Sequence, residues 1–504
     1  MVGVPGRSKG CVTCRRRKKG CDLKRPACRQ CTSRGLTCGG YDDDRIFINH
    51  STGAEQVALL RPTVGGDSES DTVVSRASMP QLSLPLDFRI IDPSDIDIIL
   101  PSNLSRSAYS VRILERFFAL YAPEQHATAI SRADPSNTFF FTSILSTLYT
   151  RDEALRLALL SLGMAMQGTI NADEEMMRQG RLLYGKGLKE MQQAISDKSR
   201  VNNEAILASP RIYAMFEMLF GADDTPTCQS RNWKRHAHGE LALMRARGPA
   251  FLADGYAHQI FVDGRLVPIF AAIHSRRATL MNEPVWKTMP WGKNSKSPKD
   301  LLFDILAEMG GFLENIDAMH ASNEPFRSEK LIVCTHQCKQ LNTELTSWAT
   351  TYNHLLFEPD SPAIIPYDFP DPMKALLSVL YWTTSLILYD AFPSAFNLTS
   401  SLQSKNPRFY ARRVALSVPY YFAETRGMWG VIMISFPMAC AVLHLAKNGG
   451  PECGKYVGVV MKAWKDPKLP ACIKKFLDSI WADASDGWQA KIGGELGKIK
   501  DWGG

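Results

Sequence analysis

From about residue 106 onward, apolar residues recur every three or four positions, the spacing that places them on one face of an α-helix. Two such faces are Val111, Leu114, Phe118 and Tyr121, and Tyr184, Leu188, Met191 and Ile195. Gly248 and Pro249 mark the end of a helix in the usual order. Strand-like alternation is scarce, and no fixed-period repeat is visible. The pattern predicts an all-α domain of about a dozen or more helices.

One apolar segment, Met428–Ala446, carries no formal charge and is long enough to span a bilayer. Pro437 interrupts it, Ser435 and His444 add polar groups, and the stretch Ala375–Tyr389 has a similar character. Large all-α domains commonly bury helices of this kind. We therefore expect a core helix and no association with a membrane.

Residues 42–105 differ in composition from the rest of the chain. The acidic run Asp42–Asp44 precedes a stretch at 61–85 that is rich in Ser, Gly, Asp and Pro. Such a composition cannot bury a core, so it predicts a flexible linker. Residues 45–105 contain no sustained apolar heptad and give no support for a coiled-coil dimer. Monomeric binding and a homodimer formed by the helical domain both remain open.

Six cysteines near the start of the chain form a repeat: Cys11, Cys14, Cys21, Cys28, Cys31 and Cys38. The last three follow the first three at an offset of 17 residues, and no histidine precedes His50. Thiolates at C-x-x-C spacing suit tetrahedral zinc. Two tetrahedral ions need eight ligand positions, so six sulfurs suffice only if two of them bridge both metals. The repeat favours Cys11 and Cys28 as the bridges.

A module held by disulfides is the alternative for this segment. Disulfides belong to oxidising compartments, and the opening MVGVPGRSKGC shows no secretory signal. RING-like and LIM-like zinc modules are excluded because they need eight separate ligands and usually a histidine. A segment of about 30 residues is also too small to fold on an apolar core alone. Zinc binding must therefore supply the folding energy.

The basic charge of the chain is concentrated on the cysteine-rich segment. Residues 1–40 hold eleven Lys or Arg and one acid, Asp22, for a formal charge of +10, while the whole chain carries +8. A dense basic patch on a small rigid scaffold is typical of phosphate binding. The run Arg15–Lys19 could serve nuclear import as well as DNA contact. Residues 1–40 contain no aromatic residue for stacking on single-stranded bases, which favours duplex DNA over RNA.

The two halves of the cysteine repeat differ in charge. Between the second and third cysteines the first half reads RRRKKG and the second reads TSRGLT, and each stretch predicts a short helix. Gly20 is expected to end the first helix and return the chain to Cys21. Only the first helix is strongly cationic, so we expect it to place a Lys or Arg against guanine in the major groove. The other cations would hold phosphates.

The segment CVTCRRRKKGCDLKRPACRQCTSRGLTC, residues 11–38, resembles the binuclear zinc cluster of fungal transcription factors over its whole length. The resemblance implies that Cys11 and Cys28 bridge two zinc ions. Cys14 and Cys21 would complete one site, and Cys31 and Cys38 the other. Pro26 matches the loop proline of the family, whereas Gly20 stands where many members have Lys or Arg.

The same resemblance assigns the DNA contacts. Lys18 matches the family position that reads the bases of a CGG-type triplet. The neighbouring basic positions are Arg15, Arg17 and Lys19. Because Gly20 is uncharged, the phosphate contact that many members make there would be lost or moved to Lys19.

Three later stretches resemble the fungal-specific regulatory domain that follows such clusters: FFALYAP at 117–123, the trio Trp233, His236 and Gly239 leading into 247–249, and EPVWKTMPW at 283–291. They imply a helical regulatory domain. Together the resemblances imply a nuclear, zinc-dependent, sequence-specific regulator of RNA polymerase II transcription. Its partners would be double-stranded DNA and co-regulators or the transcription machinery. Relatives of this arrangement often control secondary metabolism or nutrient use.

The chain is therefore predicted to contain a zinc cluster at 1–41, a flexible linker at 42–105 and an all-α regulatory domain at 106–504. An enzyme or protein-interaction factor that uses the cluster only for targeting is the alternative. The sequence shows no catalytic constellation, and Gly185 and Gly187 lack the third glycine of a dinucleotide-binding loop. Cys334, His336 and Cys338 lack a fourth metal ligand nearby, so we expect the two cysteines to be buried apolar residues.

Overall fold

The computed structural model describes residues 11–22, 24, 27–36, 38, 102–121, 123, 140–221, 228–359, 362–396, 406–448, 451–466, 474–476 and 479. Across these residues the regular structure is helical, and no strand occurs among them. The all-α prediction is confirmed. Most of the predicted linker and the loop proline Pro26 lie outside the described residues.

The cysteine-rich segment holds the short helices α1 (Val12–Arg16) and α2 (Arg29–Thr32). The larger helical region begins with α3 (Ser102–Tyr121), α4 (Phe140–Leu148), α5 (Glu153–Asn171), α6 (Glu174–Ser196), α7 (Glu204–Leu219), α8 (Cys228–Arg247), α9 (Gly255–Gly264) and α10 (Leu266–Ser275). It continues with α11 (Pro284–Thr288), α12 (Pro298–His320), α13 (Phe326–Thr351), α14 (Pro372–Ala391), α15 (Pro407–Tyr421), α16 (Gly427–Lys447) and α17 (Pro451–Lys465).

Polar side chains just before the helices satisfy backbone N–H groups that have no partner within the helix. The carboxylate of Asp152 accepts a 2.9 Å hydrogen bond from the Ala154 N–H at the start of α5. At the start of α12, Ser297 and Asp300 form a reciprocal capping box. The predicted end of α8 is confirmed, because Gly248 follows its last residue with a φ of 78°.

One hydrophobic core runs through the larger helical region, from α3 to the residues around Phe476. The face predicted for α6 is confirmed, with Tyr184 and Met191 buried and Leu188 and Ile195 packed beside them. The face predicted for α3 is partly wrong. Its fully buried residues are Ile113, Leu114, Phe117 and Tyr121, whereas Val111 is exposed. The helix is therefore rotated slightly from the orientation that the sequence spacing indicated.

Gly187, in the middle of α6, has a packing role. A Cβ atom at this position would lie 2.7 Å from the hydroxyl of Tyr213 on α7. The glycine therefore allows α6 and α7 to approach closely, and it lies inside a helix where no phosphate-binding loop exists.

The long apolar helix α16 packs against α14 and α15. The segment Glu424–Lys447 has the length and composition of a membrane span, and 67% of its most apolar window is buried inside the protein. Pro437, Ser435 and His444 are all buried within this packing. Burial of this extent is that of a core helix.

The cysteines on α13 contribute to the same core. Cys334 and Cys338 are buried one turn apart, while His336 between them is exposed on another face. Groups of three or more metal-ligating side chains occur, within the described part of the chain, only among the six cysteines of the first 38 residues. The structure therefore places Cys334 and Cys338 as apolar core residues and keeps His336 apart from them.

Candidate zinc centre and nucleic-acid interface

The six cysteine sulfurs form two groups of four. Cys11, Cys14, Cys21 and Cys28 make one group, and Cys11, Cys28, Cys31 and Cys38 make the other. Within each group the Sγ atoms all lie within 4.8 Å of one another. Cys11 and Cys28 belong to both groups, and these are the two residues that the repeat singled out as bridges.

The spacing of these sulfurs fits tetrahedral zinc. The Sγ atoms of Cys11 and Cys28 are 3.6 Å apart, those of Cys14 and Cys28 are 3.6 Å apart, and those of Cys11 and Cys31 are 3.8 Å apart. A tetrahedron with Zn–S bonds of about 2.3 Å has edges of about 3.8 Å. When bound, zinc would hold the six sulfurs as thiolates and link the two halves of the segment.

Backbone N–H groups point at these sulfurs with the symmetry of the repeat. The Cys11 N–H donates to the Cys21 Sγ at 3.4 Å, and the Cys28 N–H donates to the Cys38 Sγ at 3.5 Å. The two bonds are related by the 17-residue offset. Such contacts orient metal-bound sulfurs and offset part of their negative charge.

Burial disfavours the charged thiolate form of these cysteines when no cation is close to it. Burial raises the pKa of the Cys11 thiol to about 12, and burial also raises the pKa values of Cys14 and Cys28. A thiolate in this environment needs a compensating cation. The donor set therefore matches a soft divalent metal such as zinc.

The two short helices end with the same backbone motif. At the end of α1 the Lys19 N–H donates to the Cys14 carbonyl at 3.0 Å, and at the end of α2 the Leu36 N–H donates to the Cys31 carbonyl at 3.0 Å. These are the long-range bonds of the Schellman motif, whose penultimate residue has a positive φ. That residue is Gly35 in α2, with a φ of 63°, and Lys18 in α1, with a φ of 52°.

The prediction that Gly20 ends the first helix is therefore wrong. The chain turns out of α1 at Lys18, two residues before Gly20. The hydrogen bond from the Lys19 N–H to the Cys14 carbonyl closes the turn there. A lysine with positive φ is uncommon and costs on the order of 1 kcal/mol relative to glycine. The 17-residue repeat could have revealed this, since it aligns Lys18 with Gly35.

The predicted DNA-contacting residues lie together at this helix end. Arg17, Lys18 and Lys19 follow α1 directly, and all three side chains are exposed. Arg15 lies in α1, but its side chain is outside the described structure. Arg16, which the sequence analysis did not single out, is exposed beside them and adds to the cationic surface.

Two family models match the chain. Residues 9–45 match the fungal Zn(2)-Cys(6) binuclear cluster domain, and residues 125–279 match the fungal specific transcription factor domain. The chain thus carries the DNA-binding and regulatory domains of the fungal zinc-cluster transcription factors, which confirms the resemblance. The cluster domain binds two zinc ions. Proteins that carry these two domains are DNA-binding regulators of transcription, a class that generally lacks enzymatic activity.

Three curated relatives are similar over limited segments. An uncharacterized protein of Emericella nidulans is 27% identical over 150 residues, which are 29% of this chain and 31% of the relative. The aspercryptin biosynthesis cluster-specific transcription regulator atnN of the same organism is 56% identical over 39 residues, 8% of this chain and 6% of the relative. Arginine metabolism regulation protein II of Saccharomyces cerevisiae is 55% identical over 40 residues, 7% of this chain and 4% of the relative. No solved structure matches the chain.

Proposed function

We propose that this chain binds CGG-type triplets in duplex DNA and regulates RNA polymerase II transcription in the nucleus. The observation that carries the proposal is the pair of four-sulfur groups sharing Cys11 and Cys28, directly joined to an exposed cationic helix end. In the proposal Cys11 and Cys28 bridge the two zinc ions, Cys14 and Cys21 complete one site, and Cys31 and Cys38 complete the other.

The proposed division of labour among the basic residues follows from their positions. Lys18, at the turn that ends α1, contacts guanine edges, while Arg15, Arg17 and Lys19 bind phosphates and set the orientation of the helix. The helical domain controls activity or recruits co-regulators. The family supports a nuclear location. The proposal also includes control of a secondary-metabolism or nutrient-use gene set. That part is based only on the functions common among relatives with this domain arrangement.

Competition binding with the zinc-loaded full chain tests the proposal. A labelled duplex containing a CGG triplet is displaced by the same unlabelled duplex, by a scrambled duplex and by single-stranded RNA of the same sequence. We expect the specific duplex to compete at least tenfold better than either of the others, about 1.4 kcal/mol or more. Equal competition by RNA, or by the scrambled duplex, would contradict duplex-specific recognition.

Replacing Lys18 separates base recognition from stability. We expect Lys18→Ala and Lys18→Gly to lose about 1–3 kcal/mol of binding to the preferred triplet and to flatten base preference, because both remove the ammonium group. Lys18→Gly should also make the zinc-loaded segment more stable by about 0.5–1 kcal/mol, because it relieves the positive φ. Fluorescence anisotropy on triplet variants and zinc loss to a chelator measure the two effects. If both variants weaken all sequences alike, Lys18 is a phosphate contact.

Arg15→Ala should behave differently from the Lys18 variants. We expect it to weaken binding evenly across sequences and to reduce the slope of log K against log salt by about one unit, as loss of one phosphate contact does. Titrations at several salt concentrations with specific and scrambled duplexes measure both quantities. A change in base preference without a change in slope would assign Arg15 to the bases.

A further inference from the structure

The second helix of the zinc segment lacks a cap of its own. The residue before α2 is Cys28, whose side chain makes no hydrogen bond to the helix and is a proposed zinc ligand. The Cys28 sulfur therefore does not take the place of the usual Ser, Thr or Asp cap. The first amides of α2 therefore need an acceptor from elsewhere in the chain.

Asp22 supplies that acceptor from the other half of the repeat. Its Oδ1 accepts a 3.0 Å hydrogen bond from the backbone N–H of Arg29, the first residue of α2. Asp22 directly follows Cys21, and Arg29 directly follows Cys28. The bond therefore joins the side chain of the residue that follows Cys21, in the first group, to the backbone of the residue that follows Cys28, whose sulfur is shared by both groups.

The sequence of the other half has no side-chain acceptor at the position equivalent to Asp22. Seventeen residues after Asp22 the chain has Gly39, which carries no side-chain acceptor for the start of α1. Asp22 is also the single acid among residues 1–40, which hold eleven basic residues. A carboxylate in such a segment opposes phosphate binding, so its presence calls for a structural role.

We propose that Asp22 is a positioning residue that caps α2 across the repeat and fixes the second half of the zinc cluster against the first. Its hydrogen-bond acceptor, rather than its charge, performs this role. Asp22 caps α2 in the second half, whereas the proposed base-contacting end of α1 lies in the first half, so the cap affects DNA binding through the order of the cluster. The inference rests on the proposed zinc ligands and is independent of the proposed triplet.

Hydrogen exchange followed by mass spectrometry on the zinc-loaded full chain tests the cap directly, without DNA. We expect Asp22→Ala to speed exchange in the peptide that contains the Arg29 amide, and to speed zinc loss to a chelator about fivefold, the loss typical of one helix cap. Asp22→Asn is the matched control, because its amide oxygen keeps an acceptor in the same place while removing the charge. Asp22→Asn should show the same exchange rate and the same zinc retention as the wild-type chain.

Two results would overturn the inference. One is unchanged exchange at the Arg29 amide in Asp22→Ala, which would mean that the side chain does not hold the helix start. The other is an Asp22→Asn variant that loses zinc as fast as Asp22→Ala, which would assign the effect to charge. Loss of triplet preference in the wild-type chain would instead contradict the proposed function and leave these readouts intact.

Discussion

Cys28→Ala should release both zinc ions and unfold the cysteine-rich segment, while the larger helical region stays folded. Cys28 belongs to both four-sulfur groups, and its Sγ lies 3.6 Å from those of Cys11 and Cys14. In the proposed cluster, removing it takes a ligand from each metal at once. Because zinc binding provides on the order of 10 kcal/mol to the folding of such small segments, we expect complete loss of DNA binding. Metal analysis of the purified variant measures the zinc content directly.

Cys14→Ala is the matched control for this experiment. Cys14 is equally buried and lies one helical turn from Cys11, but it belongs to one four-sulfur group only. We therefore expect the variant to keep about half of the zinc that the wild-type chain holds. Equal zinc content in Cys14→Ala and Cys28→Ala would contradict the bridging assignment, and disulfides in a zinc-free wild-type protein would contradict the metal centre as a whole.

The shared sulfurs could be predicted from chain spacing, because the 17-residue repeat makes Cys11 and Cys28 equivalent. The repeat indicated Cys11 and Cys28 as the shared sulfurs, the family resemblance implied the other two pairs, and the structure forms the same two groups of four. The turn after α1 was mispredicted for a related reason. Glycine is the usual residue at positive φ, so the sequence favoured Gly20 as the end of the helix. The hydrogen bond from the Lys19 N–H to the Cys14 carbonyl closes the turn earlier, and Lys18 takes the positive φ.

The helical region was predictable as a class and less so in detail. Apolar spacing shows that helices have a buried face, and on α6 it identified the correct one. On α3 both Phe117 and Phe118 fit an apolar face, and only tertiary packing decides that Phe117 is the fully buried one. The cap by Asp22 could not be predicted from the sequence either. It joins residues seven positions apart through a hydrogen bond that no local sequence pattern specifies.

Buried charges are a further feature that the sequence did not reveal. Arg211 on α7 and Glu240 on α8 are almost fully buried and form a direct salt bridge, and Arg211 also donates to the Ile260 carbonyl at 2.8 Å. Burial raises the pKa of Glu240, and the nearby charge of Arg211 opposes that rise. In the sequence these residues look like ordinary charged positions on helices. Their burial follows from the packing of α7, α8 and α9 around them.

Glu240→Ala should therefore destabilise the helical region strongly. Removing the carboxylate breaks the direct salt bridge of the buried Arg211 guanidinium, a change that costs about 3–5 kcal/mol in buried pairs. The midpoint of urea unfolding, followed by far-ultraviolet circular dichroism, measures the loss. Zinc content should stay at the wild-type value, because Glu240 lies in the large helical core and the six cysteines form a separate cluster.

An exposed pair provides the comparison for this variant. Glu175 and Arg178 form a salt bridge on the surface of α6, with side chains 62% and 54% exposed. Glu175→Ala should leave stability nearly unchanged, because solvent screens such exposed pairs. Adding Arg211→Met to Glu240→Ala should recover part of the lost stability, since it removes the buried guanidinium whose salt bridge to Glu240 is broken. If Glu240→Ala is as mild as Glu175→Ala, the buried pair does not hold α7 against α8.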